Sequence, residues 1–212
     1  MNVKQVKSRD RVSNHGEVFT SEREVNSMIN LVPQEADRPE SKFLEPACGN
    51  GNFLIEILKR KLKFIELKYK RSQSDYEKYG FIVISSLYGV ELLEDNVIEC
   101  RNRLYDYFAE QYDKIYKKKS NINYKYVIRY ILEKNILLGD ALTLKLEDGT
   151  PITFCDWVIT RGSKVKRRDY HLSELLEPSD NRLKSDTNKD VSLSIPFKEY
   201  PEINYMKVVE YE

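Results

Sequence analysis

Histidine and cysteine, the side chains that most often hold zinc, are scarce in this 212-residue sequence. There are two histidines and three cysteines, and Cys48, Cys100 and Cys155 lack the paired spacing of a zinc site. The sequence therefore predicts no metal site, and it predicts reduced thiols in a cytoplasmic protein.

Long hydrophobic runs are also missing. No apolar stretch approaches the roughly 20 residues that cross a bilayer, and the first residues, MNVKQVKSRDRVSNHGE, lack the apolar core of a signal peptide. We therefore expect neither secretion nor membrane insertion.

The sequence has no excess of charge of one sign. Lys and Arg total 35 and Asp and Glu total 34, so the overall charge does not indicate a nucleic-acid partner, and any such surface must be local. Hydrophobic residues make up 41% of the chain, which is enough for the core of one domain with extensions.

Hydrophobic periodicity predicts that helices and strands alternate. Helical spacing of apolar residues predicts helices at 22–32, 53–62, 95–116 and 124–132. Shorter apolar runs predict strands at 43–45, 81–92, 135–142 and 152–159, with a further strand pattern at 205–211. Such alternation is typical of an α/β fold, and we expect a Rossmann-like, doubly wound and mostly parallel sheet.

Composition divides the chain into three parts. Residues 1–40 hold an N-terminal helix and a connector, 41–177 form the α/β domain, and 178–212 are a polar C-terminal extension whose segment 178–190 is expected to be mobile.

The sharpest local motif is FLEPACGNGNF at 43–53, where an apolar strand ends in an acid and a Gly-x-Gly turn opens a helix. Glycines let the backbone turn tightly and approach a ligand, and the helix N-terminus behind them favours polar or anionic groups. A purely structural strand-to-helix turn is the alternative.

This segment resembles the first conserved motif of the adenine-specific DNA methyltransferases. Three further segments are similar to motifs of that family and follow its order: HGEVFTSEREV at 15–25, YGVEL at 88–92 and GDAL at 139–142. The resemblance covers about residues 12–159. It implies the class I methyltransferase fold and S-adenosyl-L-methionine as the cofactor.

The resemblance also implies roles for individual residues. Phe19 and Thr20 would contact the methionine end of the cofactor. Glu91 would accept hydrogen bonds from the ribose hydroxyls, and Asp140 would receive the adenine amine. The implied cofactor residues are His15, Phe19, Thr20, Glu45, Pro46, Ala47, Cys48, Gly49, Gly51, Asn52, Phe53, Glu91, Leu92, Asp140 and Ala141.

Three of these assignments have structural alternatives. Glu91 would serve equally to cap a neighbouring helix, and Asp140 would suit an Asx turn after its strand. His15 has no partner nearby for a base–nucleophile pair, which favours a surface or packing role.

The catalytic motif of the family is missing. Methyl transfer to adenine needs a flipped base held against an aromatic ring, with acceptors that orient its amine. The family supplies these groups as Asn, Asp or Ser followed by Pro-Pro-Tyr or Pro-Pro-Phe after the fourth strand. Here RGSK (161–164) follows the strand at 154–160, and the sequence contains no Pro-Pro dipeptide. No catalytic residue is assigned, and Asp169-Tyr170 is a poor substitute.

A basic run after this strand has two interpretations, a phosphate-binding patch or a solvated loop. It consists of Lys164, Lys166, Arg167 and Arg168, with Tyr170 adjacent. Only about fifty residues follow the strand at 152–159, too few for a target-recognition domain. DNA is the expected partner, alone or together with a second protein that carries target recognition.

Two functions remain as hypotheses. The first is an S-adenosylmethionine-binding DNA adenine methyltransferase-like protein, a subunit or divergent member of a restriction–modification or phage-defence system. The alternative is a catalytically inactive methyltransferase-fold module that binds cofactor and a protein or nucleic-acid partner, which the segment 161–164 favours. Methylation of RNA or protein is a third and weaker interpretation.

Overall fold

A computed structural model describes residues 6–176 and 195–211 of the chain, so the polar segment 178–190 lies outside the described residues. The α-helices are α1 (Arg9–His15), α2 (Glu22–Ile29), α3 (Pro33–Asp37), α4 (Asn52–Tyr69), α5 (Gln73–Ser85), α6 (Glu94–Tyr116), α7 (Ile122–Asn135) and α8 (Leu172–Leu176). The strands are β1 (Phe43–Glu45), β2 (Leu87–Glu91), β3 (Ile136–Asp140), β4 (Lys145–Leu146), β5 (Thr153–Ile159), β6 (Lys164–His171), β7 (Lys198–Glu199) and β8 (Ile203–Asn204). Short 3-10 helices lie at Lys117–Lys119 and Tyr205–Tyr211.

The first sheet is mostly parallel and has the order β1-β2-β3-β4. β2 pairs in parallel with β1 and with β3, so that Glu45 lies opposite Gly89 and Glu91 lies opposite Leu138. The short β4 joins the outer edge of β3 in the antiparallel direction. The chain therefore has the mixed α/β architecture that the alternation of helices and strands predicts.

One large apolar core joins the sheet to the helices that connect its strands. Helix α4 lies between β1 and β2 and buries Ile57 and Leu58, while α6 and α7 lie between β2 and β3. Helix α2 belongs to the same core through Val25 and Ile29. Ser21 begins α2 with a capping box that includes the Glu24 side chain.

A second, antiparallel sheet contains β5, β6, β7 and β8. The strand predicted at 152–159 is confirmed as β5, but in the described part of the chain its ladder partner is β6. A smaller apolar cluster joins the two sheets, where Tyr88 and Val90 of β2 meet Ile152 and Phe154. The Tyr88 hydroxyl also donates to the Cys155 carbonyl oxygen (3.1 Å).

Two predicted strands are wrong in whole or in part. Residues 81–85 belong to helix α5, and only Leu87–Glu91 of the apolar run at 81–92 is extended. The C-terminal half of α5 is almost entirely buried and has no polar face, so its sequence cannot be distinguished from that of a buried strand. The segment 205–211 is a 3-10 helix, in which Tyr205 and Val208 lie three residues apart and are buried on one face.

A fully buried lysine supports the entry to β1. Lys61 of α4 donates through Nζ to the carbonyl oxygens of Pro39 and Ser41 and to Ser86 Oγ. Its ammonium also lies 5.0 Å from the centre of the Phe43 ring. Burial lowers the pKa of Lys61 to about 7, because the charged form loses its hydration.

Lys61 predicts a specific dependence of stability on pH. Between about pH 7 and the ordinary lysine pKa near 10.5, the unfolded chain keeps a proton that the folded chain has released. The free energy of unfolding should therefore rise with pH across this window, by at most about 1.4 kcal/mol per pH unit from this group. Urea unfolding at several pH values should show that this slope is lost in Lys61→Met and kept in Lys63→Met, an exposed control on the same helix. Equal slopes in both variants would contradict the assignment.

Candidate functional site

Three acidic residues end the three parallel strands. Glu45 ends β1, Glu91 ends β2 and Asp140 ends β3. Neighbouring parallel strands have their carboxyl ends at the same edge, which is where ligands bind in open α/β sheets. The structure thus brings together three segments that are about fifty residues apart in the sequence.

The glycine turn between β1 and α4 is held on both sides. Cys48 N–H donates to the Val90 carbonyl oxygen (2.9 Å), and Gly51 N–H donates to the Cys48 carbonyl oxygen (2.8 Å). Gly51 has a φ of 87°, and a Cβ at this position would lie 2.7 Å from Cys100 Sγ of α6. Packing and backbone conformation alone therefore require glycine at position 51.

Replacement of Gly51 tests this packing. Gly51→Ala should lower the free energy of unfolding by roughly 2–5 kcal/mol, because strain at a positive φ adds to overpacking against Cys100. Gly149→Ala is the matched control, because Gly149 has a φ of 82° and a Cβ added there would meet no heavy atom within 4 Å. Urea unfolding should show a clearly larger loss for Gly51→Ala, partly recovered when Cys100→Ala is added. Equal losses for the two glycines would refute the packing explanation.

Glu91 is buried, and its carboxylate joins β2 to the glycine turn. Gly49 N–H donates to Oε2 (2.9 Å), and Leu93 N–H donates to Oε1 (3.0 Å). The Asn96 amide also donates to Oε1, at 3.4 Å. Because Leu93 is the N-cap residue of α6, the alternative in which Glu91 caps a neighbouring helix is realised in part.

Asp140 forms the Asx turn that was its structural alternative. Leu142 N–H donates to Asp140 Oδ1 at 2.8 Å. Asp140 also lies in the wall of a cleft of about 390 Å³ between the β2–α6 connection and β4. The wall is formed by Leu92, Leu93, Glu94, Leu138, Gly139, Asp140, Thr143, Lys145, Leu146 and Glu147. Of the predicted cofactor residues, this wall includes Leu92 and Asp140.

The N-terminal segment contacts the glycine turn. The Phe19 ring is buried, and it would be the nearest neighbour of a Cβ added to Gly49, at 3.1 Å. Asn52 Nδ2 donates to the Thr20 carbonyl oxygen (3.0 Å). His15 is the last residue of α1, and its side chain lies outside the described atoms.

Most of the remaining predicted cofactor residues form or adjoin the turn. Pro46 and Ala47 are exposed, and burial raises the pKa of the Glu45 carboxyl, which accepts from Ala47 N–H (3.4 Å). Cys48 is buried, and a hydrogen bond with the Cys100 thiol, together with burial, raises its pKa. Phe53 packs against the large apolar core. Ala141 follows β3 and packs against the smaller apolar cluster.

A charged network beside Glu91 was not predicted. Lys7 and Arg11 reach the first turns of α6, where both pair with Asp95. Glu17 accepts from Arg11 and from the fully buried Asn96. The sequence does show basic residues near the N-terminus and acidic residues at the start of α6. It does not show that these segments, some 80 residues apart, form ion pairs with each other.

The basic run is a strand and not a loop, and its charges are paired. Lys164 pairs with Glu202, while Lys166 and Arg168 both pair with Glu199. Arg167 is buried and donates through Nε and Nη2 to Asp169, at 2.7 and 2.8 Å. These ion pairs offset part of the positive charge of the predicted nucleic-acid residues, and Arg167 holds Asp169 in a buried ion pair.

Comparisons with known proteins give no match: no protein-family model, no curated protein and no solved structure is significantly similar to this chain. Among residues 6–176 and 195–211, no helix is both long and apolar enough to span a membrane. The same residues contain no group of three or more His, Cys, Asp or Glu side chains placed to hold a metal ion. Function must therefore be argued from the site itself.

Proposed function

We propose that this chain is the S-adenosylmethionine-binding module of a DNA adenine methyltransferase-like system of the restriction–modification or phage-defence type. The doubly wound, class I methyltransferase form of the fold is part of the proposal. The proposal depends on one observation: the motif segments at 19–20, 45–53, 91–92 and 140–141 meet at the carboxyl edge of three parallel strands.

The polar groups at this edge fit the ribose and methionine parts of the cofactor. A carboxylate offers about four acceptor sites, and Glu91 uses three of them within the protein, which leaves about one for a ribose hydroxyl. Asn50 Oδ1 in the glycine turn is buried without a hydrogen-bond partner among the described residues. It is an acceptor suited to the ammonium group of the methionine part.

The cleft fits the adenine part. Leu92 and Leu138 offer apolar contact, and Asp140 Oδ2 is the oxygen left over by the Asx turn to accept from the adenine amine. When bound, S-adenosylmethionine supplies an electrophilic methyl group on a sulfonium centre. The residues of this chain bind and orient the donor.

Transfer of the methyl group to DNA is assigned to a complex with a second protein. After β5 the chain turns back through residues 160–164, where Lys164 N–H donates to the Arg161 carbonyl oxygen (2.9 Å), and β6 begins. A hairpin thus occupies the position where the family carries its acceptor residues and prolines. A partner must then supply both the acceptors and target recognition.

The second candidate is an inactive module that binds cofactor and a protein or nucleic-acid partner. The same hairpin favours it, together with the ion pair that engages Asp169. Both candidates require cofactor binding, and methyl transfer by the complete complex separates them.

Calorimetric titration with S-adenosylmethionine tests the cofactor site. The unaltered chain should bind, and Asp140→Asn should weaken binding roughly 10–100-fold, because the cofactor amine loses a charged acceptor. Asn keeps the oxygen that accepts from Leu142 N–H, so the turn is expected to survive. Asp148→Asn is the control for the turn, because Asp148 Oδ1 makes the same kind of turn with Thr150 N–H (2.9 Å) and lines an open depression beside the cleft instead of the cleft wall itself.

Two results would overturn the site. Absence of binding by the unaltered chain would refute the cofactor proposal. Equal loss in Asp140→Asn and Asp148→Asn would refute the role of Asp140 while leaving cofactor binding in place.

Transfer of a labelled methyl group tests the assignment of catalysis. The chain alone should transfer no label to adenine-containing DNA above the level of a heat-denatured control, because residues 160–164 form a hairpin without the family's acceptor residues. A complex purified from its own cells should transfer label if the first candidate is correct, and none if the second is correct. Transfer by the chain alone would contradict the requirement for a partner. Label found on RNA or protein, and not on DNA, would show that DNA is not the substrate.

A further inference from the structure

We propose that Asn96 is a positioning residue that couples the N-terminal segment 6–20 to the Glu91 carboxylate, so that docking of this segment prepares the cofactor site. The inference rests on the proposed function.

Asn96 lies between two buried carboxylates and has no exposed surface. Its Nδ2 donates to Glu17 Oε1 (2.6 Å) and to Glu91 Oε1 (3.4 Å). Its Oδ1 accepts from Lys7 Nζ (2.7 Å). One amide group thus contacts two residues of the N-terminal segment and the residue assigned to the ribose.

The segment holds this amide with charges on both sides. Arg11 pairs with Glu17 and with Asp95, and its guanidinium holds the pKa of the Asp95 carboxyl far below its usual range. Lys7 bridges Asp95 and Glu99, and these contacts raise its own pKa despite partial burial. The segment is therefore tied to the first turns of α6 by several ion pairs.

The buried contacts matter more than the exposed ones. The Asp95 side chain is 53% exposed, so water and salt weaken its pairs with Lys7 and Arg11. The side chain of Glu17 is 7% exposed and depends on Arg11 and Asn96 for neutralisation and hydrogen bonds. Loss of the Asn96 amide would leave an incompletely bonded buried carboxylate, which is costly. Asn96 is therefore the position at which one change uncouples the segment from Glu91.

A second contact of the same segment lies on the other side of the turn. Phe19 packs on Gly49, whose N–H donates to Glu91 Oε2. The segment therefore reaches the Glu91 carboxylate by two routes, from Glu17 through the Asn96 amide and from Phe19 through the Gly49 backbone. Undocking of the segment would release both supports, and this predicts that cofactor affinity and segment docking change together.

The matched pair of variants is Asn96→Leu and Asn135→Leu. Asn135, the last residue of α7, is also fully buried. Its Nδ2 donates to the Ser85 carbonyl oxygen (3.3 Å), and within the described part of the chain it makes no hydrogen bond to Glu17, Glu91 or Lys7. Both variants remove a buried amide, so both should lower global stability. Only Asn96→Leu should weaken S-adenosylmethionine binding, and the loss should be at least tenfold. Only Asn96→Leu should also speed amide hydrogen exchange at Val12 in α1 and at Gly16 after it, again by at least tenfold.

Arg11→Met keeps the test valid if Asn96→Leu does not fold. Among the described residues, the Arg11 side chain forms hydrogen bonds and ion pairs only with the segment itself and the start of α6. Its loss should therefore undock the segment while the core stays folded, with faster α1 exchange and at least threefold lower cofactor affinity. Equal cofactor affinity in the variants and the unaltered chain, or unchanged α1 exchange, would overturn the inference and leave the proposed function standing. No binding by the unaltered chain would overturn the proposed function and the inference with it.

Discussion

Strand β2 is hydrogen-bonded to β1 on one side and to β3 on the other, and all three strands run in the same direction. This parallel pairing places Glu45, Glu91 and Asp140 along one edge of the sheet. It also directs the connecting helices into the shared core and leaves the glycine turn beside the end of β2. Without this register, the segments that resemble methyltransferase motifs would not be neighbours.

At that edge, the residues to which we assign ligand binding also have structural roles. Glu91 begins α6 and holds the glycine turn, and Asp140 forms an Asx turn in the wall of the cleft. The structural alternatives and the functional assignments therefore do not exclude each other, because a carboxylate has more acceptor sites than either role uses.

Strong local patterns predicted most elements well. Ser21 and the apolar stripe of α2 specify a helix on their own, and β1 is confirmed at 43–45. Local pattern failed for α5, whose C-terminal half is almost entirely buried, and for β6, where three basic residues pair with acids at 199 and 202. In both cases the deciding partners lie elsewhere in the chain, and a local pattern contains no information about them.

The sequence by itself determined the glycine turn, the strand-end acids, and the lack of the Pro-Pro motif, because each is a local property of residue type and order. Only the tertiary structure decided which charges meet. It pairs the predicted phosphate-binding residues with carboxylates, and it places Asn96 between Glu17 and Glu91. Electrostatic and hydrogen-bond partners depend on distances of a few ångströms across the folded chain, and those distances follow from the packing of the whole core.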